Sequence, residues 1–170
     1  YDQVTLMMEE AKKNFDNYLT NIVYMGMGEP FLNYNNVIKS ADIFHHNLGF
    51  GLSAKRITIS TSGIVPKIKK FIKDNIKYKL AVSLNAPTDE QREKIMPINR
   101  TWPIKDLIRA SQMYSNRKRK NIMFEYVLLE NINDSIQDAE NLMNLIKGLD
   151  SKINIIPYNE TDGKYKRPSD

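Results

Sequence analysis

The sequence predicts an α/β fold, an open or partial (β/α) barrel with parallel strands and with helices on its outside. Short runs rich in β-branched and aromatic residues alternate with longer segments whose apolar residues recur at helical spacing. Strands separated by helices pair in parallel through right-handed crossovers, which leave the helices outside the sheet. No G-x-G-x-x-G sequence opens a helix, so a barrel fits better than a dinucleotide-binding Rossmann fold. Because no internal repeat or linker is visible, residues 1–170 are expected to form a single domain.

The first predicted elements are an amphipathic helix and a short strand. The helix carries apolar side chains at helical spacing: Val4, Met7, Met8, Ala11, Phe15 and Tyr18. The β-formers Ile22–Tyr24 predict the first strand. Gly26 and Gly28 remove side chains where this strand ends, and Glu29 and Pro30 follow at once. This bare backbone lets a small ligand approach, and the Glu29 carboxylate could hold a ligand ammonium; a plain strand-to-helix turn is the alternative.

The next elements are a second helix and a second strand. Asn35 or Asn36 is predicted to cap the helix, Leu48 to lie on its buried face, and Gly49 to mark its end. The second strand is predicted over Arg56–Thr61, which is rich in β-branched residues.

The middle of the chain is predicted to contain three helices and one strand. Pro66 lies in the first turn of the third helix, and Tyr78–Leu84 reads as the third strand. Thr88 with Gln91 is a capping-box pattern for a short helix, and Pro103 opens a longer one.

The carboxyl-terminal part is predicted to contain two strands around one helix. Four consecutive cations, Arg117–Lys120, end the preceding helix; a solvated end is favoured over a phosphate contact. Ile122–Leu129 and Ile153–Pro157 are the fourth and fifth predicted strands. Asp134 with Gln137 predicts a cap for the helix between them, whose apolar positions are Ile136, Ala139, Leu142 and Leu145.

The composition excludes several classes of protein. The hydrophobic share of 41% and charged share of 26% are typical of a soluble globular protein, and no apolar run reaches the roughly 18 residues of a membrane span. The absence of cysteine excludes disulfides and thiolate metal sites in this segment. His45 and His46 are adjacent on a predicted helix and face different directions, so they make a poor metal pair. The net charge of +5 permits an RNA partner, although a codon bias toward Lys explains part of it.

Small or hydrogen-bonding residues follow every predicted strand. These strand ends are Gly28–Pro30, Ser60–Gly63, Ser83–Pro87, Asn131–Asp134 and Pro157–Asn159. In a parallel barrel the ligand lies at the carboxyl ends of the strands. Mostly neutral groups with one carboxylate suit a polar zwitterion that carries a ribose, although each Ser or Asn taken singly is more often a turn residue.

Five blocks of the sequence stand out: M-G-M-G-E-P-F-L-N-Y-N-N-V, G-F-G-L-S-A-K-R-I-T-I-S-T-S-G-I-V-P, A-V-S-L-N-A-P-T-D-E-Q-R, P-I-N-R and K-I-N-I-I-P-Y-N. In this order, they resemble the radical S-adenosylmethionine (SAM) enzymes of the RlmN/Cfr family. The resemblance runs from about Asn21 to Asn159. It implies that the chain is the central segment of a partial (β/α) barrel of the radical SAM type. A radical SAM enzyme outside this family is a less favoured alternative.

The resemblance implies an RNA methyltransferase. The family methylates C2 of an adenine in 23S-type rRNA and in some tRNAs, and its Cfr branch methylates C8 of the same rRNA adenine. A [4Fe–4S] cluster, which receives its electron from an electron donor, cleaves one SAM to a 5′-deoxyadenosyl radical. A second SAM methylates a cysteine of the enzyme. The implied cofactors are SAM and, in the full-length protein only, the cluster. The implied partners are rRNA and tRNA, and no membrane is involved. The implied location is the cytoplasm, with an organelle of an AT-rich eukaryote as the alternative.

Seven residues match SAM-binding positions of the family. Gly28 and Glu29 match the contact to the SAM amino group. The other matched positions are Ser60, Ser83, Leu84, Asn85 and Asn159. Asn85 stands where the family usually has His, and P-Y-N-E replaces the common P-W-N-P.

The cysteines of the family are missing from this chain. Neither the C-x-x-x-C-x-x-C cluster motif nor the methyl-carrying cysteine is present. The segment alone is therefore expected to hold part of a SAM site, to bind no iron and to be inactive, with no catalytic residue of its own. A degenerate barrel without a cluster, which only binds RNA or a nucleotide, is the alternative from a different class. The full reading frame discriminates between the two.

Overall fold

The structure is a computed structural model that describes residues 2–15, 19–118, 121–161 and 163–169. Its helices and strands alternate as α1 (Asp2–Phe15), β1 (Ile22–Tyr24), α2 (Tyr34–His45), β2 (Ile57–Thr61), α3 (Val65–Lys73), β3 (Lys79–Ser83), α4 (Asp89–Ile95), α5 (Ile104–Lys118), β4 (Ile122–Leu128), α6 (Ile136–Leu145) and β5 (Ser151–Pro157). Short 3₁₀ helices span Pro30–Asn33, Ala54–Arg56 and Pro97–Arg100.

The strands form one sheet in the order β1-β2-β3-β4-β5. Pairing is parallel between β1 and β2, between β3 and β4, and between β4 and β5. The predicted α/β fold with parallel strands is confirmed, and each predicted strand lies within two residues of its observed ends. Closure into a partial barrel stays a prediction.

The chain divides into two compact units. The first contains Tyr1–Ile59 and Lys77–Lys79, and the second contains Ser60–Ile76 and Leu80–Asp170. The assignment of 1–170 to a single domain stays a prediction. In the described ranges, no helix has both the length and the apolar character that crossing a membrane requires.

The first unit buries one face of α2. The buried residues of α2 and of the 3₁₀ turn before it are Phe31, Tyr34, Val37, Ala41 and Phe44. The helix begins at Tyr34, directly after the 3₁₀ turn, so the caps predicted at Asn35 or Asn36 are wrong. It ends at His45 because His46 is extended. Leu48 therefore lies beyond the helix and is 93% exposed, against the prediction that it is buried.

His45 is half-buried at the end of α2. Its Nδ1 pairs with the Leu52 carbonyl at 2.7 Å, and its ring packs edge-on against Tyr78. The Tyr78 hydroxyl in turn donates a hydrogen bond to Asp42. Across the part of the chain that the structure describes, no group of three or more His, Cys, Asp or Glu could hold a metal ion.

The second unit packs α5 against α3 and β4. The ring centroids of Phe71 and Tyr114 lie 6.2 Å apart between α3 and α5, and both side chains are fully buried. Side chains alternate between the two faces of the sheet along β3 and β4. Ser83 and Glu125 are partners in the parallel register of these strands, so their side chains lie on the same face.

Two helix caps differ in how well the sequence predicts them. The Thr88 hydroxyl accepts from the Gln91 amide at 3.3 Å, which confirms the cap of α4. In α6 the capping box is Ser135 with Asp138, one residue later than the predicted pair of Asp134 and Gln137. Leu142 is buried as predicted, but Ile136 and Ala139 are exposed.

Some predicted side chains cannot be compared with the structure. Tyr18, Arg119 and Lys120 lie outside the described residues, as do the side chains of Val4, Phe15 and Lys118. Arg117, the first cation of the predicted run, is exposed at the end of α5.

Candidate functional site

The glycine-rich segment after β1 forms an open rim. Gly26 and Gly28 have φ angles of 108° and 111°, which residues with a side chain rarely adopt. Apart from each glycine and its two chain neighbours, no atom of the described residues lies within 4 Å of the position that a Cβ would take at Gly26 or Gly28. The segment borders an open cleft of about 300 Å³ lined by Tyr24, Met25, Met27, Gly28, Glu29, Pro30, Asn33 and Val37. The exposed main chain that the glycine spacing predicts is therefore present.

Glu29 lies at this cleft with its carboxylate held by the backbone. It caps the 3₁₀ helix Pro30–Asn33, and its Oε1 accepts from the Phe31 amide at 2.9 Å. A carboxylate has about four acceptor positions, and the bond to the Phe31 amide occupies one of them. The cap fixes the orientation of the charge beside the bare rim.

In the second unit, two predicted site residues converge on a buried carboxylate. Ser60 donates to Oε2 of Glu125 at 2.8 Å, and Ser83 donates to the same oxygen at 3.3 Å. Ser60 is 4% exposed and Glu125 is 6% exposed. Glu125 is not among the site residues predicted from the sequence, although an acidic residue inside the apolar run I-M-F-E-Y-V-L-L is a signal for a buried functional group.

A buried arginine holds the ends of β2 and β3. Arg92 is completely buried in α4. Its guanidinium donates to the carbonyls of Ser62 (2.7 Å), Ser83 (3.0 Å) and Leu84 (2.9 Å) and to Oδ1 of Asn99 (2.9 Å). Burial lowers the pKa of Arg92 to about 10, against the opposing effect of Asp89, so the group stays charged at neutral pH. The sequence showed no sign of this role, because a charged residue in a short helix is usually solvated.

Asn85 joins the end of β3 to β4. Its φ of 58° is left-handed, a conformation that Asn tolerates better than most residues. Its Oδ1 accepts from the Val127 amide at 2.9 Å, and its carbonyl accepts from Asn133 Nδ2 at 2.6 Å. Its Nδ2 donates to the sulfur of Met96 at 3.2 Å. The side chain thus has a clear structural role at the end of β3.

The remaining predicted residues lie in different settings. Leu84 is fully buried, its amide donates to the Glu125 carbonyl at 3.0 Å, and its own carbonyl accepts from Arg92. Asn159 is exposed two residues after β5. The structure thus brings Ser60 and Ser83 together on Glu125, and Gly28 and Glu29 are neighbours in the first unit.

The comparison with protein families gives a match over most of the chain. A model described as the Radical SAM superfamily matches residues 2–146. The chain belongs to the radical SAM superfamily. The family resemblance read from the sequence is confirmed at this level, as is the radical SAM fold.

Similar proteins are radical SAM and RNA methyltransferases. A probable dual-specificity RNA methyltransferase RlmN of Flavobacterium psychrophilum is 44% identical over 99% of this chain and 49% of its own length. The dual-specificity RNA methyltransferase RlmN of Nautilia profundicola is 44% identical over 93% of this chain and 45% of its own length. The crystal structure of a radical SAM methyltransferase from Sphaerobacter thermophilus superposes with a TM-score of 0.94 at 43% identity, covering 99% of this chain and 49% of that one. The chain spans about half the length of the curated relatives it matches.

The two cofactors of radical SAM enzymes fit this chain differently. The open rim at Gly26 and Gly28, with the fixed Glu29 carboxylate beside it, suits the main-chain approach and the ammonium group of SAM. The [4Fe–4S] cluster does not fit, because iron–sulfur clusters rest on cysteine thiolates and none of the 170 residues is cysteine. The chain therefore has groups that suit SAM and no cysteine thiolate that could hold a cluster.

Proposed function

We propose that this chain is the central, SAM-binding part of an RNA methyltransferase that methylates C2 of an adenine in 23S-type rRNA and in tRNA. The observation that carries the proposal is 44% identity along 99% of the chain to a relative named as an RNA methyltransferase RlmN. Because the chain spans about half of that relative, we assign the cluster-binding cysteines and the methyl-carrying cysteine to the rest of the full-length protein. The segment alone is inactive in this proposal.

The proposed roles of this chain are to bind and orient SAM. Gly28 lets the cofactor reach the main chain, and Glu29 accepts hydrogen bonds from the ammonium of its methionine moiety. Bound SAM supplies the methyl group and, together with the cluster, the radical chemistry. The further proposed contacts come from Ser60, Ser83, Leu84, Asn85 and Asn159. For Leu84 and Asn85, the bonds within the protein support a positioning contribution to the loop after β3.

The proposed substrate is RNA bound mainly through its phosphates. The net charge of +5 and the exposed Arg117 support electrostatic attraction to a polyanion. Bacterial relatives named as RNA methyltransferases support a cytoplasmic location. An electron donor for the cluster is a further partner of the full-length enzyme.

Nucleoside mass spectrometry tests the proposed function. The full-length protein is expressed in a bacterial host that lacks its own adenine-C2 methyltransferase, and its rRNA and tRNA are digested to nucleosides. The expected product is 2-methyladenosine in both RNA pools, absent from the host with the empty vector. Formation of 8-methyladenosine instead would assign the protein to C8 methylation. RNA binding without any methylated adenosine, in a protein that carries no cluster, would contradict the enzyme and favour a binding module.

A further inference from the structure

Glu125 is a buried carboxylate whose hydrogen-bond donors are two proposed cofactor-binding serines. Ser60 and Ser83 both donate to its Oε2, at 2.8 Å and 3.3 Å. Ser83 is the register partner of Glu125 in the parallel pair of β3 and β4, which keeps the two side chains on one face of the sheet. Ser83 is only half-buried, so this cluster reaches the surface of the second unit.

The two hydrogen bonds to Glu125 determine how the serines can meet a ligand. A serine hydroxyl has one hydrogen to donate and two lone pairs to accept with. The hydrogens of Ser60 and Ser83 are therefore both directed at Glu125. Each serine oxygen then meets any further group as an acceptor. A ligand group facing these serines must be a donor, because a carboxylate there would face oxygen lone pairs.

We propose that Glu125 is a positioning residue for SAM, which holds Ser60 and Ser83 in the orientation that accepts hydrogen bonds from the cofactor. SAM offers donors of three kinds, its ammonium, its ribose hydroxyls and its adenine amine, and the serines receive one of these and not the methionine carboxylate. The inference rests on the proposed function, since it takes SAM as the ligand. It adds a residue that does not touch the cofactor and acts through the two that do.

A mutant cycle in the reconstituted full-length protein tests this role. Glu125→Gln keeps the shape of the side chain, but its amide nitrogen donates, so a serine hydroxyl can turn its hydrogen away. Isothermal titration of SAM is expected to show an affinity about fivefold to thirtyfold lower for E125Q than for wild type, as for the weakening of one or two neutral hydrogen bonds. In the S60A/S83A background the same change is expected to alter affinity less than twofold, because the serines that transmit the effect are gone.

Asp138 supplies a matched control. It is also a buried carboxylate of the second unit that accepts a serine hydroxyl, from Ser135 at 2.6 Å, but it belongs to the cap of α6. D138N is expected to lower the melting temperature and to leave SAM affinity unchanged in both backgrounds. An E125Q effect of equal size with and without the serines, or no effect in the wild-type background, would overturn the proposal.

A second variant covers the case in which E125Q does not fold. Glu125→Asp retains an acceptor-only carboxylate, so the loss of affinity caused by S60A/S83A is expected to persist in E125D. If E125D abolishes that loss, the proposal is wrong. A wild-type protein that binds no SAM would instead refute the proposed function. If the wild type binds SAM and the effects of E125Q and S60A/S83A on SAM affinity are additive, only the role of Glu125 is refuted.

Discussion

Replacing Arg92 by Met tests the interpretation that one buried guanidinium holds the ends of β2 and β3. Met has a similar length and no donor, so the substitution removes the hydrogen bonds and the charge with little loss of volume. Three backbone carbonyls, those of Ser62, Ser83 and Leu84, and the side chain of Asn99 each lose a donor.

The expected loss of stability follows from those four acceptors. A buried acceptor without a partner costs about 1–3 kcal/mol, and removing one member of a buried charged network costs about 3–5 kcal/mol. Burial of the cation is itself unfavourable, and it lowers the pKa of Arg92 to about 10. Because Met has no charge to desolvate, the substitution recovers part of the stability that the lost hydrogen bonds cost. We therefore expect a net loss of about 3–5 kcal/mol for R92M. For a full-length protein of about twice this length, an unfolding entropy of about 2.1 cal/mol/K per residue gives about 1.4 °C per kcal/mol, so the melting temperature falls by about 4–7 °C.

Differential scanning calorimetry of the full-length protein measures this effect. Arg109→Met on the exposed face of α5 is the matched control, expected to change stability by less than about 0.5 kcal/mol. Arg92→Lys keeps the charge and loses the planar fork, so its melting temperature should lie between those of wild type and R92M. If R92M melts within 2 °C of wild type, or R92K is as stable as wild type, the guanidinium does not hold these strand ends.

The remaining predictions concern the cofactor, the backbone and RNA. Glu29→Gln is expected to weaken SAM binding by about tenfold to a hundredfold, more than Ser60→Ala or Asn85→Ala. The reason is that Gln can still accept from the Phe31 amide but has lost the charge. Equal SAM affinities of wild type and E29Q by isothermal titration would contradict this. Gly28→Ala is expected to destabilise the protein by about 1–3 kcal/mol through its φ of 111° and not through a clash, which a melting curve without ligand measures. Anaerobic reconstitution of the isolated chain is expected to give no stoichiometric iron or sulfide, and a visible cluster absorption would refute this. RNA affinity of the full-length protein is expected to fall steeply with salt, so a flat titration would exclude a phosphate-dominated contact.

The strand positions could be predicted because they depend on local pattern. Runs such as Ile22–Tyr24 and Ile122–Leu128 are rich in apolar, β-branched and aromatic residues, so their type and place follow from the residues alone. The cap of α6 could not be chosen in this way. Asp134 and Ser135 are both good capping residues, and only the backbone shows that Ser135 makes the reciprocal bonds with Asp138.

The parts of the site that sequence reasoning missed depend on contacts between distant residues. Glu125 is 65 positions from Ser60, and Arg92 is 30 positions from Ser62. Nothing in a short charged helix distinguishes a buried arginine from a solvated one until the carbonyls that it binds are known. Asn85 is predicted as a site residue from the sequence, and the structure adds a second reason for an asparagine there. Its backbone is left-handed, and it is hydrogen-bonded to Val127 and Asn133.

The formation of 5′-deoxyadenosine tests most directly the claim that this chain carries the SAM-binding part of a radical SAM enzyme. The full-length protein is reconstituted anaerobically, incubated with SAM and a one-electron reductant, and the products are separated by liquid chromatography and mass spectrometry. We predict 5′-deoxyadenosine from the wild type, and a lower yield from Glu29→Gln at a SAM concentration below saturation. A folded protein that holds a complete cluster and yields no 5′-deoxyadenosine would contradict the account.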